Sequence, residues 1–232
     1  MKLFIFGKAK QARDTFHPTQ TCPECGSKLL CRRDEFHESQ IQSVSNEENW
    51  ALQSSALRVV KLECPNPDCP AQVRRGLAHW CSPEVMAIAG GDETMVGLLV
   101  KQGLARDVAE LYRIKVKELA ALPGMSQEAA QKFFDAITTS MKRDACRLLF
   151  GLGIPLVGLA EAQALGKGFP TVDAVFAAGV PRLMKDAGVS EAVAQGIARW
   201  HSDSANRKLV KRLEKFGLNF KSALHQPPLS RA

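Results

Sequence analysis

The sequence predicts a mainly α-helical protein with a small zinc module, built on a β-hairpin in the manner of a zinc ribbon or finger, near its start. Two patterns predict this architecture: short turns recur at near-constant spacing through the later part of the chain, and two close cysteine pairs occur earlier. The composition agrees, because 232 residues with 45% hydrophobic and 24% charged residues are typical of a globular protein that buries a core.

Four three-residue turns recur along the chain. Their third residues are at positions 92, 126, 158 and 190, which are spaced by 34, 32 and 32 residues. Their sequences are Gly90-Gly91-Asp92, Gly124-Met125-Ser126, Leu156-Val157-Gly158 and Gly188-Val189-Ser190. Four positions later come the small residues Val96, Ala130, Ala162 and Ala194, which permit close packing of a helix against its partner. A constant period indicates one supersecondary unit used four times, so we predict four helix-hairpin-helix units over residues 73–224.

The seven cysteines indicate a metal site rather than disulfides, because their number is odd and four of them form two short-spaced pairs. Cys22-Pro23-Glu24-Cys25-Gly26 and Cys64-Pro65-Asn66-Pro67-Asp68-Cys69 are two turns that could supply four sulfurs to one structural, tetrahedral zinc ion. Four free thiols are the alternative. Cys31 is a possible substitute ligand, His37 and Cys81 are expected to be bystanders, and Cys146 is expected to be a small core residue.

These patterns divide the chain into a leader (1–21), a zinc module (22–72), the helical units (73–224) and a disordered tail (225–232). The leader contains a strand-like Leu3–Phe6, and residues 34–58 form a polar insertion inside the zinc module. The role of residues 31–62 stays open. No apolar run is long enough for a membrane span or a signal peptide, so we expect a cytoplasmic, nucleoid-associated protein without a membrane partner.

A net charge of +7 fits a polyanionic partner, although many basic proteins bind none. A turn that enters a helix presents backbone N–H groups without intrahelical partners at the positive end of the helix dipole, which is a site for phosphate. The predicted DNA-contacting residues are Gly124, Met125, Ser126, Lys132, Val157, Gly158, Lys167, Gly188, Ser190 and Arg199. Turns that merely connect the helices of a scaffold are the alternative.

With turns and cysteines placed, residues 22–224 resemble the zinc-finger and helix-hairpin-helix region of bacterial NAD-dependent DNA ligases. The resemblance is carried first by the two cysteine turns, the second of which continues as Pro70-Ala71-Gln72. Further along the chain it is carried by four segments: Lys101-Gln102-Gly103-Leu104 with Asp107, Leu111-Tyr112, Arg147–Ile154 and Asn206–Asn219. The resemblance implies zinc on Cys22, Cys25, Cys64 and Cys69, and hairpins on the minor-groove side of nicked duplex DNA.

The family's adenylylation, oligonucleotide-binding-barrel and C-terminal BRCT domains have no counterpart here, and the Lys-x-Asp-Gly nucleophile motif is absent. We therefore expect no ligation by this chain alone and no NAD binding. The expected function is sequence-independent binding of double-stranded or nicked DNA in repair or replication, alongside a separate ligase or repair protein. The alternatives are a remnant or split subunit of a ligase, and an interaction scaffold that has lost DNA binding.

Three turns depart from the family's glycine pattern, with Asp92, Ser126 and Ser190 at the third position. Serine and aspartate are good helix N-caps, and their oxygens bond the amides that a phosphate would otherwise take. Asp92 also places a negative charge there, so we expect the first unit to be structural. Gly158 keeps the family pattern, which makes the third unit the expected best phosphate site.

Overall fold

The computed structural model describes residues 21–33 and 60–225, and this part of the chain is mainly helical. It contains ten α-helices, one 3-10 helix and one two-stranded sheet. The chain divides into two compact units, residues 1–66 and residues 67–232. Among the described residues, the sheet belongs to the first unit and the helices to the second, and this predominance of helix confirms the predicted mainly α fold class.

The sheet consists of β1 (Leu30–Arg33) and β2 (Val60–Glu63), paired antiparallel with Leu30 opposite Glu63. This is the β-hairpin that the sequence predicts between the two cysteine turns. The strand-like leader, the polar insertion at 34–58 with His37, and residues 226–232 of the tail lie outside the described residues.

The helices form four consecutive pairs, and each pair encloses one of the predicted turns. The elements are α1 (Pro70–Cys81), α2 (Glu93–Lys101), the 3-10 helix (Glu110–Arg113), α3 (Val116–Ala120), α4 (Gln127–Ser140), α5 (Ala145–Gly151), α6 (Leu159–Gly168), α7 (Val172–Ala177), α8 (Val180–Ala187), α9 (Glu191–Ser202) and α10 (Ser204–Lys215). The four hairpins are α1–α2, α3–α4, α5–α6 and α8–α9. The first helix begins at Pro70 rather than at residue 73, and α7, α10 and the 3-10 helix are additions to the predicted repeat. The domain boundaries drawn from the sequence stay predictions.

The predicted role of the small residue four positions after each turn is confirmed by its burial. Val96, Ala130, Ala162 and Ala194 are all 0% exposed. A similar close approach occurs at Gly151, where an added Cβ would lie 2.6 Å from a methyl of Val85 and 2.7 Å from the Trp80 ring. The repeat therefore marks buried positions, where a small side chain leaves room for close packing.

The core runs through all four hairpins as one continuous apolar cluster. Cys146 and Cys81 are buried in it or at its edge, which confirms the expectation that Cys146 is a small core residue. Among the described residues, no helix combines the length and hydropathy that crossing a bilayer requires.

Candidate metal site and nucleic-acid interface

The first cysteine turn is fixed by its own backbone hydrogen bonds. The Gly26 amide donates to the Cys22 carbonyl and the Cys22 amide donates to the Ser27 carbonyl, both at 2.8 Å. Gly26 has a φ of +71°, a conformation that glycine adopts without steric cost. The turn therefore carries Cys22 and Cys25 on one short, closed loop of chain.

The sheet brings the second pair of cysteines to this turn. Because β1 and β2 run antiparallel with Leu30 opposite Glu63, the chain enters β1 and leaves β2 at the same end, next to Cys64. Cys69 is the N-cap of α1, with Pro70 at the first helical position, where a missing N–H costs nothing. The local fold thus fixes the backbone positions of all four cysteines.

The four sulfur atoms lie within 4.8 Å of one another, and the Cys25 and Cys64 sulfurs are 3.5 Å apart. A zinc ion with Zn–S bonds of about 2.3 Å in tetrahedral geometry separates its sulfurs by roughly 3.8 Å, so the cluster has the size of such a site. Cys22 and Cys69 are buried, and Cys25 and Cys64 are half-buried. The four cysteines could therefore hold one metal ion in a closed coordination shell.

The remaining cysteines differ in what the structure describes of them. The backbone of Cys31 lies in β1, opposite Leu62. Cys81 and Cys146 are in helices α1 and α5, and neither belongs to the group of four. Burial raises the pKa of each of these two thiols to about 12, which keeps them protonated and makes them poor metal ligands at neutral pH.

Each of the four hairpin turns contains a residue in the left-handed region, two positions before the N-cap of its second helix. The φ angles are +82° at Gly90, +77° at Gly124, +66° at Leu156 and +67° at Gly188. The shared angle gives the four turns a similar backbone conformation just before the first amides of α2, α4, α6 and α9, which have no intrahelical acceptor.

The N-caps partly occupy these amides, as the sequence indicates. The Asp92 carboxylate accepts from the Met95 amide at 2.8 Å. The Ser126 and Ser190 hydroxyls accept from the amides of Ala129 and Val193 at 3.1 and 3.4 Å. Each cap takes the third helical amide and leaves the first two without a partner among the described residues.

The third turn contains a feature that our sequence analysis missed. Glu161 extends its carboxylate back to the Gly158 amide at 3.0 Å, and this oxygen lies 2.9 Å from the place that a Cβ of residue 158 would take. The signal was present, since a glutamate three residues after an N-cap is the acceptor of a capping box. The glycine turn therefore has a negative charge beside it, as the Asp92 turn does.

The predicted DNA-contacting residues of the turns differ in accessibility. Gly124, Ser126, Gly188 and Ser190 are exposed, whereas Met125 and Gly158 are half-buried. Val157 is a buried core residue and its amide donates to the Ile154 carbonyl at 3.0 Å. Since neither its side chain nor its N–H is available, Val157 drops out of the candidate set.

The predicted cations lie at different distances from the turns. Lys132 is on the second turn of α4 and pairs with Glu128 at 2.7 Å, with both side chains largely exposed. Lys167 and Arg199 lie near the C-terminal ends of α6 and α9, about 12 Å along the axis from the first helical residue. Both side chains are exposed, and their contact with DNA stays a prediction.

The fold and the cysteine cluster define a helix-hairpin-helix protein with a four-cysteine module. Residues 147–210, which contain the third and fourth hairpins, match the helix-hairpin-helix motif family.

Comparison with curated proteins extends the similarity to nearly the whole chain. A DNA ligase of Rubrobacter xylanophilus is 35% identical over 220 residues, which are 94% of this chain and 29% of the ligase. A DNA ligase of Methylacidiphilum infernorum is 32% identical over 209 residues, which are 90% of this chain and 27% of that ligase. A DNA ligase of Synechococcus is 37% identical over 155 residues, which are 67% of this chain and 23% of that ligase. The chain resembles the zinc-finger and helix-hairpin-helix region of ligases and spans less than a third of the length of these relatives.

Proposed function

We propose that this protein binds duplex DNA without sequence preference through the second and fourth hairpin turns. The observation that carries this proposal is the state of the amides at the start of α4 and α9. Those of Gln127 and Glu128, and of Glu191 and Ala192, have no hydrogen-bond partner in the described chain, and each pair follows an exposed turn. Unpartnered amides at the positive end of a helix dipole bind phosphate oxygens.

The second and fourth turns are preferred because their caps are neutral hydroxyls, which can also donate to a phosphate. The first-turn carboxylates of their helices are engaged by neighbouring side chains, Glu128 by the Lys132 ammonium and Glu191 by the Gln195 side-chain amide. At the first and third turns, the carboxylates of Asp92 and Glu161 accept backbone N–H groups and would repel a phosphate. This ranking differs from our sequence-based expectation, which favoured the third turn because of Gly158 alone. Similarity to DNA ligases supports DNA as the polyanion.

The test is a binding titration of the full chain on a labelled duplex at 50 and 200 mM salt. If about six phosphates are contacted, affinity falls roughly a thousandfold over this range, because each neutralised phosphate releases counterions. Nicked and intact duplexes of the same length are compared in parallel, to ask whether a nick is preferred. Absence of salt-dependent binding to any duplex contradicts the proposal and supports an interaction scaffold.

Charge variants assign the binding to the turns. Ser126→Asp and Ser190→Asp keep a cap acceptor but add a negative charge, and we expect each to weaken binding roughly tenfold by loss of charge-assisted hydrogen bonds. Gln102→Glu is the control, because it adds the same charge at an exposed position at the C-terminal end of α2, outside the hairpin turns and outside α10. Glu161→Gln preserves a cap acceptor, removes the charge and should strengthen binding. Equal effects of Ser126→Asp, Ser190→Asp and Gln102→Glu would rule out a turn-specific site.

We further propose that Cys22, Cys25, Cys64 and Cys69 hold a structural zinc ion. Zinc would cross-link the two cysteine turns and contribute to folding without an open coordination position. We expect one zinc per chain by elemental analysis, and loss of that metal together with a lower melting temperature in Cys69→Ser. Cys146→Ser, which changes a thiol outside the cluster, should retain the metal. A folded, metal-free wild-type chain would refute the assignment.

A second candidate function is that of a split ligase subunit acting with a separate adenylylating chain, and the similarity to DNA ligases favours it. Incubation of this chain with labelled NAD distinguishes the possibilities. AMP transfer to the chain alone would contradict a purely DNA-binding role. Faster nick sealing when the chain is added to a separate ligase catalytic domain would favour the split enzyme.

A further inference from the structure

The last helix, α10, has a strongly basic surface that the hairpin repeat does not include. Between Ser204 and Lys215 it contains five Lys and Arg residues but one acidic residue, Glu214. We propose that Lys208, Lys211 and Lys215, here called the lysine stripe, form a second surface that contacts the phosphate backbone of DNA. This inference rests on the proposed function and extends it beyond the turns.

The three lysines share one face of the helix. Positions 208 and 215 are seven residues apart, almost two full turns, and 211 lies between them at a spacing of three, so the side chains project over an arc of roughly 60°. All three are exposed, whereas Val210 and Leu213 on the other side are buried in the core. The packing of α10 therefore directs the lysine stripe to the surface.

The other two basic residues of α10 are engaged within the protein. Arg212 donates to both oxygens of Asp107, at 2.6 and 3.2 Å. Arg207 donates to the carbonyls of His201 and Ser202 at the end of α9. In the described part of the chain, no acidic group lies within 4.0 Å of the ammonium of Lys208, Lys211 or Lys215. The positive charge of the lysine stripe is thus left unneutralised while its neighbours are fixed in place.

The position of α10 makes DNA the fitting occupant of this surface. The helix follows α9 of the fourth hairpin directly. The side-chain amide of Asn206 stabilises the junction by donating to the Trp200 carbonyl at 2.9 Å. A row of charges about 10 Å long complements a polyanion rather than a single small anion. The fourth hairpin and α10 are consecutive elements of one compact unit, and a duplex is a polyanion long enough to contact both surfaces.

The experiment measures the slope of log affinity against log salt concentration for a nicked duplex. The triple variant Lys208→Gln, Lys211→Gln, Lys215→Gln retains side-chain length and helix propensity, so circular dichroism and melting temperature should match wild type. We expect the slope to become shallower by about one unit per lysine, roughly three in total, because that many fewer counterions are released. Such a change supports the lysine stripe as a phosphate contact.

A control triple, Lys101→Gln, Lys115→Gln, Lys117→Gln, removes the same charge from exposed positions that do not share one face. If both triples change the slope equally, the effect is one of net charge and the lysine stripe is overturned. A second outcome is that the stripe variant has an unchanged slope while Ser126→Asp and Ser190→Asp lose affinity. This outcome overturns the lysine stripe and leaves the proposed function of the hairpin turns intact. If the wild type shows no salt-dependent binding, both proposals fail.

Discussion

At the scale of single residues, Leu156 is the exception among the four turns. It has the left-handed φ of +66° where the other turns have glycine, and its side chain is 64% exposed. A left-handed conformation costs a non-glycine residue roughly 1–2 kcal/mol, and an exposed leucine recovers little of that by burial. The third turn is therefore strained by its own sequence.

We predict that Leu156→Gly raises the free energy of unfolding by up to about 1 kcal/mol. Relief of the left-handed strain exceeds the entropy that an added glycine gives to the unfolded chain. Gly124→Ala is the converse control: φ is +77° and an added Cβ meets nothing within 4 Å, so its expected loss of about 1 kcal/mol is purely conformational. Urea unfolding of both variants checks this, and a less stable Leu156→Gly chain would contradict the account.

At the scale of elements, the sequence predicted each hairpin that the structure contains. Turn residues, N-caps and the small residue four positions later are local signals, so they are readable before any tertiary contact is known. The paired cysteine turns are local in the same sense, and their sulfurs meet as expected.

The features that were missed depend on contacts between distant parts of the chain or on a side chain's chosen rotamer. Arg212 reaches Asp107 across 105 positions of sequence, and no spacing pattern connects them. Glu161 could have pointed to solvent, yet it turns back to the Gly158 amide. The burial of Val157 likewise follows from how its hairpin packs, since its residue type suits either a core or a contact position.

A chain of buried hydrogen bonds links three helical elements of the first two hairpins. Trp80 Nε1 on α1 donates to the Tyr112 hydroxyl at 2.9 Å, and this hydroxyl lies 3.1 Å from the Ser140 hydroxyl. Ser140 donates to the Ile137 carbonyl at 2.7 Å, so the Tyr112 hydrogen is directed to Ser140. In this series of hydrogen bonds, the Trp80 ring N–H and the hydroxyls of Tyr112 and Ser140 each donate to one acceptor.

We predict that Tyr112→Phe lowers the free energy of unfolding by about 1–3 kcal/mol, because it leaves the fully buried Trp80 N–H without an acceptor. Ser140→Ala breaks the next link, and the double variant should cost less than the sum of the two single variants, since both remove the same hydrogen bond. Denaturant unfolding of the four proteins completes the cycle. Strict additivity would show that the two hydroxyls act independently.

At the scale of the whole molecule, burial of ionisable groups sets the response to alkaline pH. Burial raises the pKa of Tyr112 from 10.0 to about 12, against the opposing effect of its hydrogen bonds to Ser140 and Trp80. Burial also raises the pKa of Cys81 from 9.0 to about 12. A raised pKa in the folded state favours folding fully below the unfolded pKa, and this stabilisation is lost as pH rises through the folded value.

The free energy of unfolding should therefore begin to fall near pH 9 with Cys81 and Cys146, since the pKa of each thiol is raised to about 12, and fall more steeply above pH 10 with Tyr112. Each group contributes a slope of about 1.4 kcal/mol per pH unit until pH 12, because the unfolded chain has lost the proton that the folded chain retains. Urea unfolding across this range measures the slope, and the absorbance of tyrosinate reports directly on Tyr112, the one tyrosine of the sequence. Cys81→Ala should remove about half of the slope between pH 9 and 10, where Cys146 contributes the other half, and Tyr112→Phe should reduce the slope above pH 10 while leaving it unchanged between pH 9 and 10. If tyrosinate appears near pH 10 while the chain is still folded, Tyr112 is not held neutral by burial.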